Sequence, residues 1–346
     1  MLSSLALRLK HNISSSDLSI YDAITVGDPN YWVPSNELEE LLSEKLVGLS
    51  LEGLALRTRS KIVKTEVCTA LGYSVPSSFK KTQPRFLCQN FDVYTQKSNN
   101  LQVWNEEISP SRRYVLIRIS EDDIITKVKV VTGDVLADLD KTGKLTQKYQ
   151  ARLMGVLENV KLFSELDTDE IGKIVSEYQG FSASTSPAAY PSFGEVMPIQ
   201  EVYQRLQSIV GKRFSYLGAL QERNRGGVLH SLVCEALGYS TFREDGKFPD
   251  VKHQLVEVKL QTSPTIDLGL FLPNNEETLD IPLVNGQSIR MCDVRYAIFY
   301  GEVENEEVVI TKFYLVTGKD FFKHFTQFGG KKVNKKLQIP LPNNFL

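Results

Sequence analysis

Two acids and a lysine stand out as residues that could do chemistry together. Pro249-Asp250 is followed, a short distance on, by Glu257-Val258-Lys259. On a strand, side chains alternate with period two, so Glu257 and Lys259 share one face while Val256, Val258 and Leu260 turn to a core. Setting a carboxylate and an ammonium side by side on an otherwise apolar strand is costly unless something uses them. A short turn over residues 252–254 is expected to fold Asp250 back beside Glu257. Two converging carboxylates make a hard-cation site suited to Mg²⁺. Lys259 is then close enough to orient or deprotonate a water on that metal. A polarised phosphate, an activated water and a positive charge near the developing negative charge are what phosphodiester hydrolysis requires. The same residues also fit a solvated strand face carrying a cross-strand ion pair.

The elements that must position these groups are readable around them. Val228, Leu229, Leu232, Val233, Ala236 and Leu237 fall on one helical face, and Gly238 is placed to stop that helix. A hairpin over 248–260 follows. Two stretches rich in β-branched and aromatic residues, VRYAIFYGEV and EVVITKFYLVTG, then read as strands. A helix followed by strands predicts an α/β or α+β domain with a mixed central sheet flanked by helices.

This set of elements occurs twice. RTRSKIVKTEVCTALGYS (57–74) lies over RNRGGVLHSLVCEALGYS (223–240) at an offset of 166, with nine of eighteen positions identical. PRFLCQNFDVYTQ (84–96) lies over PDVKHQLVEVKLQ (249–261), Arg113-Tyr114 over Arg295-Tyr296, and IITKVKVVTG (124–133) over VITKFYLVTG (309–318). Four blocks in the same order indicate a duplicated domain. The expected organisation is a first copy within 1–150, a helix (168–178) and Ser/Ala/Pro-rich linker over 151–197, and a second copy over 198–346. Residues 273–293 read as a loop or hairpin inserted in the second copy. In the first copy Arg85 stands where Asp250 is, Asp92 where Glu257 is and Tyr94 where Lys259 is. A cation at the metal position repels Mg²⁺, so the first copy is expected to be catalytically dead and kept for binding or assembly.

The residues Pro249, Asp250, Glu257, Val258 and Lys259, on a hairpin after a helix, resemble the PD-(D/E)xK nuclease superfamily, which includes most type II restriction endonucleases. The stretch RGGVLHSLVCEALGY…FPDVKHQLVEVK is also similar to the mismatch-repair nicking endonucleases and their restriction-enzyme relatives. The resemblance covers about 40 residues in this reading of the motif. It implies two tandem restriction-endonuclease-like domains, with Mg²⁺ held by Asp250, Glu257 and the Val258 main-chain carbonyl. It implies that Lys259 assists the attacking water, with Gln261 one same-face step further along. Relatives often draw a further ligand from the preceding helix. That position holds Cys234 here, which leaves Glu235 or Glu222 as candidates.

Charge elsewhere is more diffuse. Lys+Arg number 40 and Asp+Glu 42, so the chain is not globally basic, although a local basic cleft is compatible with that balance. Arg57 and Arg59 recur as Arg223 and Arg225, a repeated pair that could hold phosphates or simply decorate a helix surface. Lys80, Lys81 and Arg85 form a basic loop in the first copy, where the second has Glu244 and Asp245. The stretch 329–342 carries Lys331 and Lys332 among four lysines and reads as a DNA-backbone arm or as soluble surface. Cys68 and Cys234 share a repeat position on an apolar helix face and are expected in the core. His230 and His253 flank the site region, where a structural role competes with contact to DNA or water.

Several classes are excluded or disfavoured. No apolar run is long enough to span a membrane. The residues MLSSLALRLKHN lack a long apolar segment, so a cytoplasmic setting is expected. Four scattered cysteines without a CxxC pair argue against a zinc ribbon. Neither a GxxxxGK[ST] loop nor a GxGxxG turn is present. The leading expectation is a Mg²⁺-dependent, sequence-specific endonuclease acting on double-stranded DNA. It is expected to be a monomer or pseudo-dimer in solution, with a homodimer on DNA as a further option. A repair or structure-specific nickase, and a non-catalytic DNA-binding protein on a nuclease fold, are the alternatives.

Overall fold

The computed structural model describes residues 2–104, 108–139, 149–155, 158–215, 222–269, 271–329, 336–342 and 345. The chain is of mixed α/β type and divides into two units. The first comprises Met1–Gln147 with Lys331–Leu346, and the second Lys148–Gly330.

The first unit opens with α1 (Ser4–Ser14), α2 (Ser35–Leu46) and α3 (Leu56–Leu71). Their buried faces, Ala6/Leu9/Ile13, Leu38/Leu41/Leu42 and Val63/Val67/Leu71, recur at the three- and four-residue spacing of amphipathic helices. They pack with Phe91, Val115, Ile117 and Val130 of the strands. Strands β1 (Phe91–Gln96), β3 (Arg113–Ile119) and β4 (Ile125–Thr132) form one sheet, and β2 (Asn100–Trp104) lies outside it. β1 runs parallel to β3, with Phe91 opposite Arg113, and β3 runs antiparallel to β4. The short helix α4 (Gly133–Asp138) follows.

The second unit begins with β5 (Tyr149–Leu153), β6 (Val160–Leu162) and α5 (Asp169–Val175). Next come α6 (Ile199–Leu206), β7 (Arg213–Ser215) and α7 (Glu222–Leu237). The last strands are β8 (Val256–Gln261), β9 (Thr265–Gly269), β10 (Arg295–Glu304), β11 (Glu307–Thr317) and β12 (Phe325–Phe328). The main sheet has the order β6-β11-β10-β8, and β7 also pairs with β11. β8 runs parallel to β10, with Val256 opposite Arg295, and β10 runs antiparallel to β11. Alternation along β10 sorts its side chains into two cores. Ala297 and Phe299 join α6 and α7, while Tyr296 and Ile298 join α5, β5 and the loop over 279–291. A second sheet has the order β12-β5-β9.

Both units therefore share one arrangement of helix, tight turn, parallel strand pair and antiparallel return. They also share its fastenings. Arg113 is fully buried; it donates to the carbonyls of Gln89 and of Val33 (2.6 Å), and Gln89 Oε1 accepts from Val33 N–H. Arg295 donates to the carbonyls of Gln254 (3.0 Å) and Met197 (2.7 Å), and Gln254 Oε1 accepts from Met197 N–H. Arg295 is further paired with buried Asp167 at 2.7 Å. The repeated Arg-Tyr is thus a clasp between the parallel pair and the segment entering the first helix of the motif. The repeated VTG has a steric cause: a Cβ on Gly133 would lie 2.0 Å from the Ser109 carbonyl oxygen, and one on Gly318 2.3 Å from that of Pro273. Gly72 and Gly238 end α3 and α7 with φ of 87° and 103°, the left-handed region that glycine adopts at low cost.

Two boundaries differ from the sequence expectation. Residues 151–197 hold the expected helix, α5, but the rest is not a plain linker: β5 is the central strand of β12-β5-β9, and β6 pairs with β11. Even the Ser/Ala/Pro-rich part is fastened, through Ser240 N–H to Ala183 O, His253 N–H to Pro187 O and Phe181 packed on Tyr239. The far stretch also changes unit, since β13 (Lys336–Pro340) pairs antiparallel with β2 of the first unit. Among the described residues, no helix is long and apolar enough to cross a membrane.

Candidate active site

The expected turn is present. Val251 and Val256 exchange backbone hydrogen bonds of 2.9 and 3.1 Å across a single 3₁₀ turn (Lys252–Gln254), and Leu255 takes φ of 54° to enter β8. This reversal sets Asp250 against the start of β8. Asp250 N–H donates to Glu257 Oε2 at 3.2 Å, and Val258 N–H donates to Asp250 Oδ2 at 2.9 Å. Lys259 Nζ lies 2.8 Å from Glu257 Oε1. Asp250, Glu257 and Lys259 are thus brought together, Glu257 being buried and Lys259 half-buried.

Among the described residues, β8 is the edge of its sheet, with β10 on one side only. Val258 sends its N–H away from β10 to Asp250, so its carbonyl faces that same open edge. Gln261 closes β8, half-buried, opposite Tyr300. Of the helix-borne candidates, only Glu235 has a described side chain, and it does not join this group. Glu235 lies on the exposed face of α7, and the side chain of Glu222 lies outside the described residues.

The electrostatics of the site are those of excess negative charge. The Asp250 carboxyl is pushed well above the usual carboxylate range, chiefly by loss of water around it and then by the charge of Glu257. Lys259 and the Val258 N–H pull the other way, and Glu244 adds to the rise. Cys234 is pushed up to about 12 by burial, with Glu244 and Asp250 adding to it, so it is a core thiol rather than a nucleophile. His230 Nε2 lies 3.3 Å from Cys234 Sγ and its Nδ1 lies 3.5 Å from Glu244; burial lowers its pKa. His253 is inside a network, with Tyr239 Oη at 2.8 Å and Glu195 at 3.0 Å, and has a structural role.

This donor set fits a hard divalent cation. A buried carboxylate whose charge is disfavoured by burial and by a neighbouring carboxylate is relieved by a cation beside it. Among the described residues no group of three or more His, Cys, Asp or Glu side chains is arranged to hold a metal. The protein would thus supply two carboxylates and a main-chain carbonyl, a sparse set of the kind Mg²⁺ accepts because it keeps several waters.

The first unit carries the same frame around different side chains. Phe86 and Phe91 form the equivalent bridge across a 3₁₀ turn at Leu87–Gln89, and Asn90 takes φ of 48°. Arg85 N–H donates to Asp92 Oδ1 at 2.9 Å, as Asp250 N–H does to Glu257. Tyr94 stacks on Tyr114. One cation that the sequence reading did not single out faces this point: Arg112, whose Nη1 is 3.6 Å from Asp92.

The remaining basic candidates are dispersed. Arg59 is committed to Asp123 through two contacts of 2.5 and 2.7 Å and to the Leu54 carbonyl, whereas Arg57 is exposed. Lys80 and Lys81 are exposed, and the Lys80 ammonium lies over Tyr21 at 4.7 Å. Arg223 and Arg225 lie within α7, but their side chains are outside the described residues, as are Lys331 and Lys332 altogether.

No family model, curated protein or solved structure matches this chain.

Proposed function

We propose that the protein is a Mg²⁺-dependent, sequence-specific endonuclease that hydrolyses phosphodiester bonds of double-stranded DNA, of the type II restriction kind, acting in the cytoplasm. The observation that carries this reading is the convergence of Asp250, Glu257 and Lys259 on the open edge of β8. When bound, Mg²⁺ would supply Lewis-acid polarisation of the scissile phosphate and a water of lowered pKa. Asp250, Glu257 and the Val258 carbonyl would hold the ion. Lys259, tethered to Glu257 and half-buried, would orient the attacking water and take part in its deprotonation. Its positive charge also lies near the charge that develops on the phosphate.

The two units are read as copies of one nuclease-like domain, the first inactive because Arg85 and Tyr94 replace the acid and the lysine. One chain then holds one competent site and cuts one strand per encounter. Supercoiled plasmid incubated with Mg²⁺ should give nicked circles before linear product, and EDTA should stop both. Plasmid left intact under Mg²⁺ across sequences would overturn the reading and favour a DNA-binding role alone.

A further inference from the structure

We infer that Lys252 and Asp245 are a positioning pair for the active site: their ion pair fixes the segment that carries Asp250 and so keeps its carboxyl beside Glu257 for the metal. The inference rests on the function proposed above and concerns residues that act through Asp250 rather than on the substrate.

Lys252 opens the 3₁₀ turn between the two acids, yet it is only 3% exposed. Its Nζ makes a direct ion pair with Asp245 Oδ2 and lies 5.8 Å from the centre of the Tyr190 ring. Asp245 Oδ1 accepts from the Lys247 N–H at 3.0 Å. One carboxylate thus gathers the approach to Asp250, holding the backbone at Lys247 and the side chain of Lys252. Asp250 lies inside this closed loop, between Lys247 and Lys252. The turn is fixed beyond it as well: His253 N–H donates to the Pro187 carbonyl at 3.0 Å, and Gln254 Oε1 accepts from Met197 N–H.

The first unit makes the same reversal without such a pair. Phe86 and Phe91 form the bridge, but the repeat sets Leu87 over Lys252 and Lys80 over Asp245. Leu87 and Lys80 are both exposed, and a leucine cannot pair with a lysine. The reversal therefore does not need the pair. Taking an ammonium out of water is costly, and a buried ion pair contributes little net stability compared with apolar residues. The pair's presence in the unit with two acids is thus explained by the site rather than by the frame. The charge of Glu257 works against that of Asp250, whose carboxylate is held by the Val258 N–H. Fastening the segment on both sides of Asp250 opposes that repulsion and keeps the two carboxyls ready for a cation.

The test uses the full-length chain. Mn²⁺ affinity is measured by electron paramagnetic resonance, plasmid cleavage under Mg²⁺ as a single-turnover rate at saturating enzyme, and duplex binding in EDTA. Lys252→Met and Asp245→Asn should each weaken Mn²⁺ binding and slow the single-turnover step by about 10- to 100-fold, with duplex affinity unchanged. Lys252→Arg keeps the charge and should recover most of both. Leu87→Ala, at the matching turn of the first unit, should behave as wild type. The double variant Lys252→Met/Asp245→Asn strands no charge, so it should melt close to wild type and still lose Mn²⁺ affinity, a combination that a merely structural pair would not show. The Asp245 side chain is 18% exposed, so Asp245→Asn gives the same readouts should Lys252→Met fail to fold. Wild-type Mn²⁺ affinity and cleavage rate in these variants overturn the inference and leave the proposed function standing. Weakened Mn²⁺ binding in the variants of a chain that cleaves no plasmid keeps the positioning pair and overturns the nuclease reading. A wild type that neither binds Mn²⁺ nor cleaves overturns both.

Discussion

Asp250 and Arg85 occupy the same place in two copies of one backbone frame. Each precedes a one-turn reversal closed by a two-bond bridge, and each gives its N–H to the acid that opens the next strand. In the second unit this frame carries two carboxylates beside a lysine; in the first, Arg85 and Tyr94 stand where Asp250 and Lys259 do. The difference teaches where the frame gets its stability. It comes from the arginine–glutamine clasp, the bridge and the parallel pairing, none of which uses the site's own side chains. The site residues are thereby free to change sign without loss of the fold, and a site can be lost or converted while its scaffold persists.

The largest effect that would sharpen this contrast is on catalysis. Lys259→Ala is expected to lower Mg²⁺-dependent plasmid cleavage by about 10²–10⁴-fold while duplex binding is retained, because the lysine acts on the water rather than on affinity. Cleavage at the wild-type rate would break the assignment of the active copy.

Next in size is the clasp. Arg295→Met should cost about 3–5 kcal/mol in denaturant unfolding of the second unit, since it strands the buried Asp167 carboxylate. Arg113→Met should destabilise the first unit through its abandoned Gln89 and Val33 carbonyls. If either variant unfolds like wild type, the shared fastening does not support the frame.

A smaller effect concerns the cost of the charged site. Asp250 has its folded-state pKa raised, so without metal the folded chain binds more protons than the unfolded chain. That contribution therefore falls as pH rises from the ordinary carboxylate range through the raised value. Asp250→Asn should remove this decline and raise the metal-free melting temperature at neutral pH, whereas Mg²⁺ should stabilise wild type but not the variant. An unchanged pH profile would count against the crowded carboxylate pair. The smallest expected effect is in the first unit, where Asp92→Asn and Tyr94→Phe should each change the cleavage rate less than about threefold. A large loss there would mean that both copies take part in the chemistry.

Much of the active-site geometry was legible in the sequence because it is local. The stretch from Pro249 to Gln261 contains its own turn, its own alternation and both acids, so period-two reasoning places Glu257 and Lys259 on one face. The offset between copies then located the helix and the strand pair. What stayed hidden depends on distant pairing. Nothing in YQARL announces that it sits between β9 and β12, and nothing in KLQIP announces β2 as its partner, because partner choice is not written in a strand's own pattern. Arg59 shows the same dependence on distant partners: within the repeated RxR, phosphate contact and surface decoration were both open, and Arg59 is held by Asp123, far along the chain. Arg112 escaped notice for a related reason, since it is unremarkable until the fold brings it to Asp92.

The pairing of β13 with β2 has a consequence for synthesis. The ribosome delivers residues 1–147 first, but the strand that completes their unit emerges only after the whole second unit has been made. Until then β2 exposes unpaired backbone groups along the edge that β13 will cover. The second unit can assemble from a continuous stretch, while the first must wait for a segment that follows it in the chain. The order of maturation in the cell is therefore expected to reverse the order of translation.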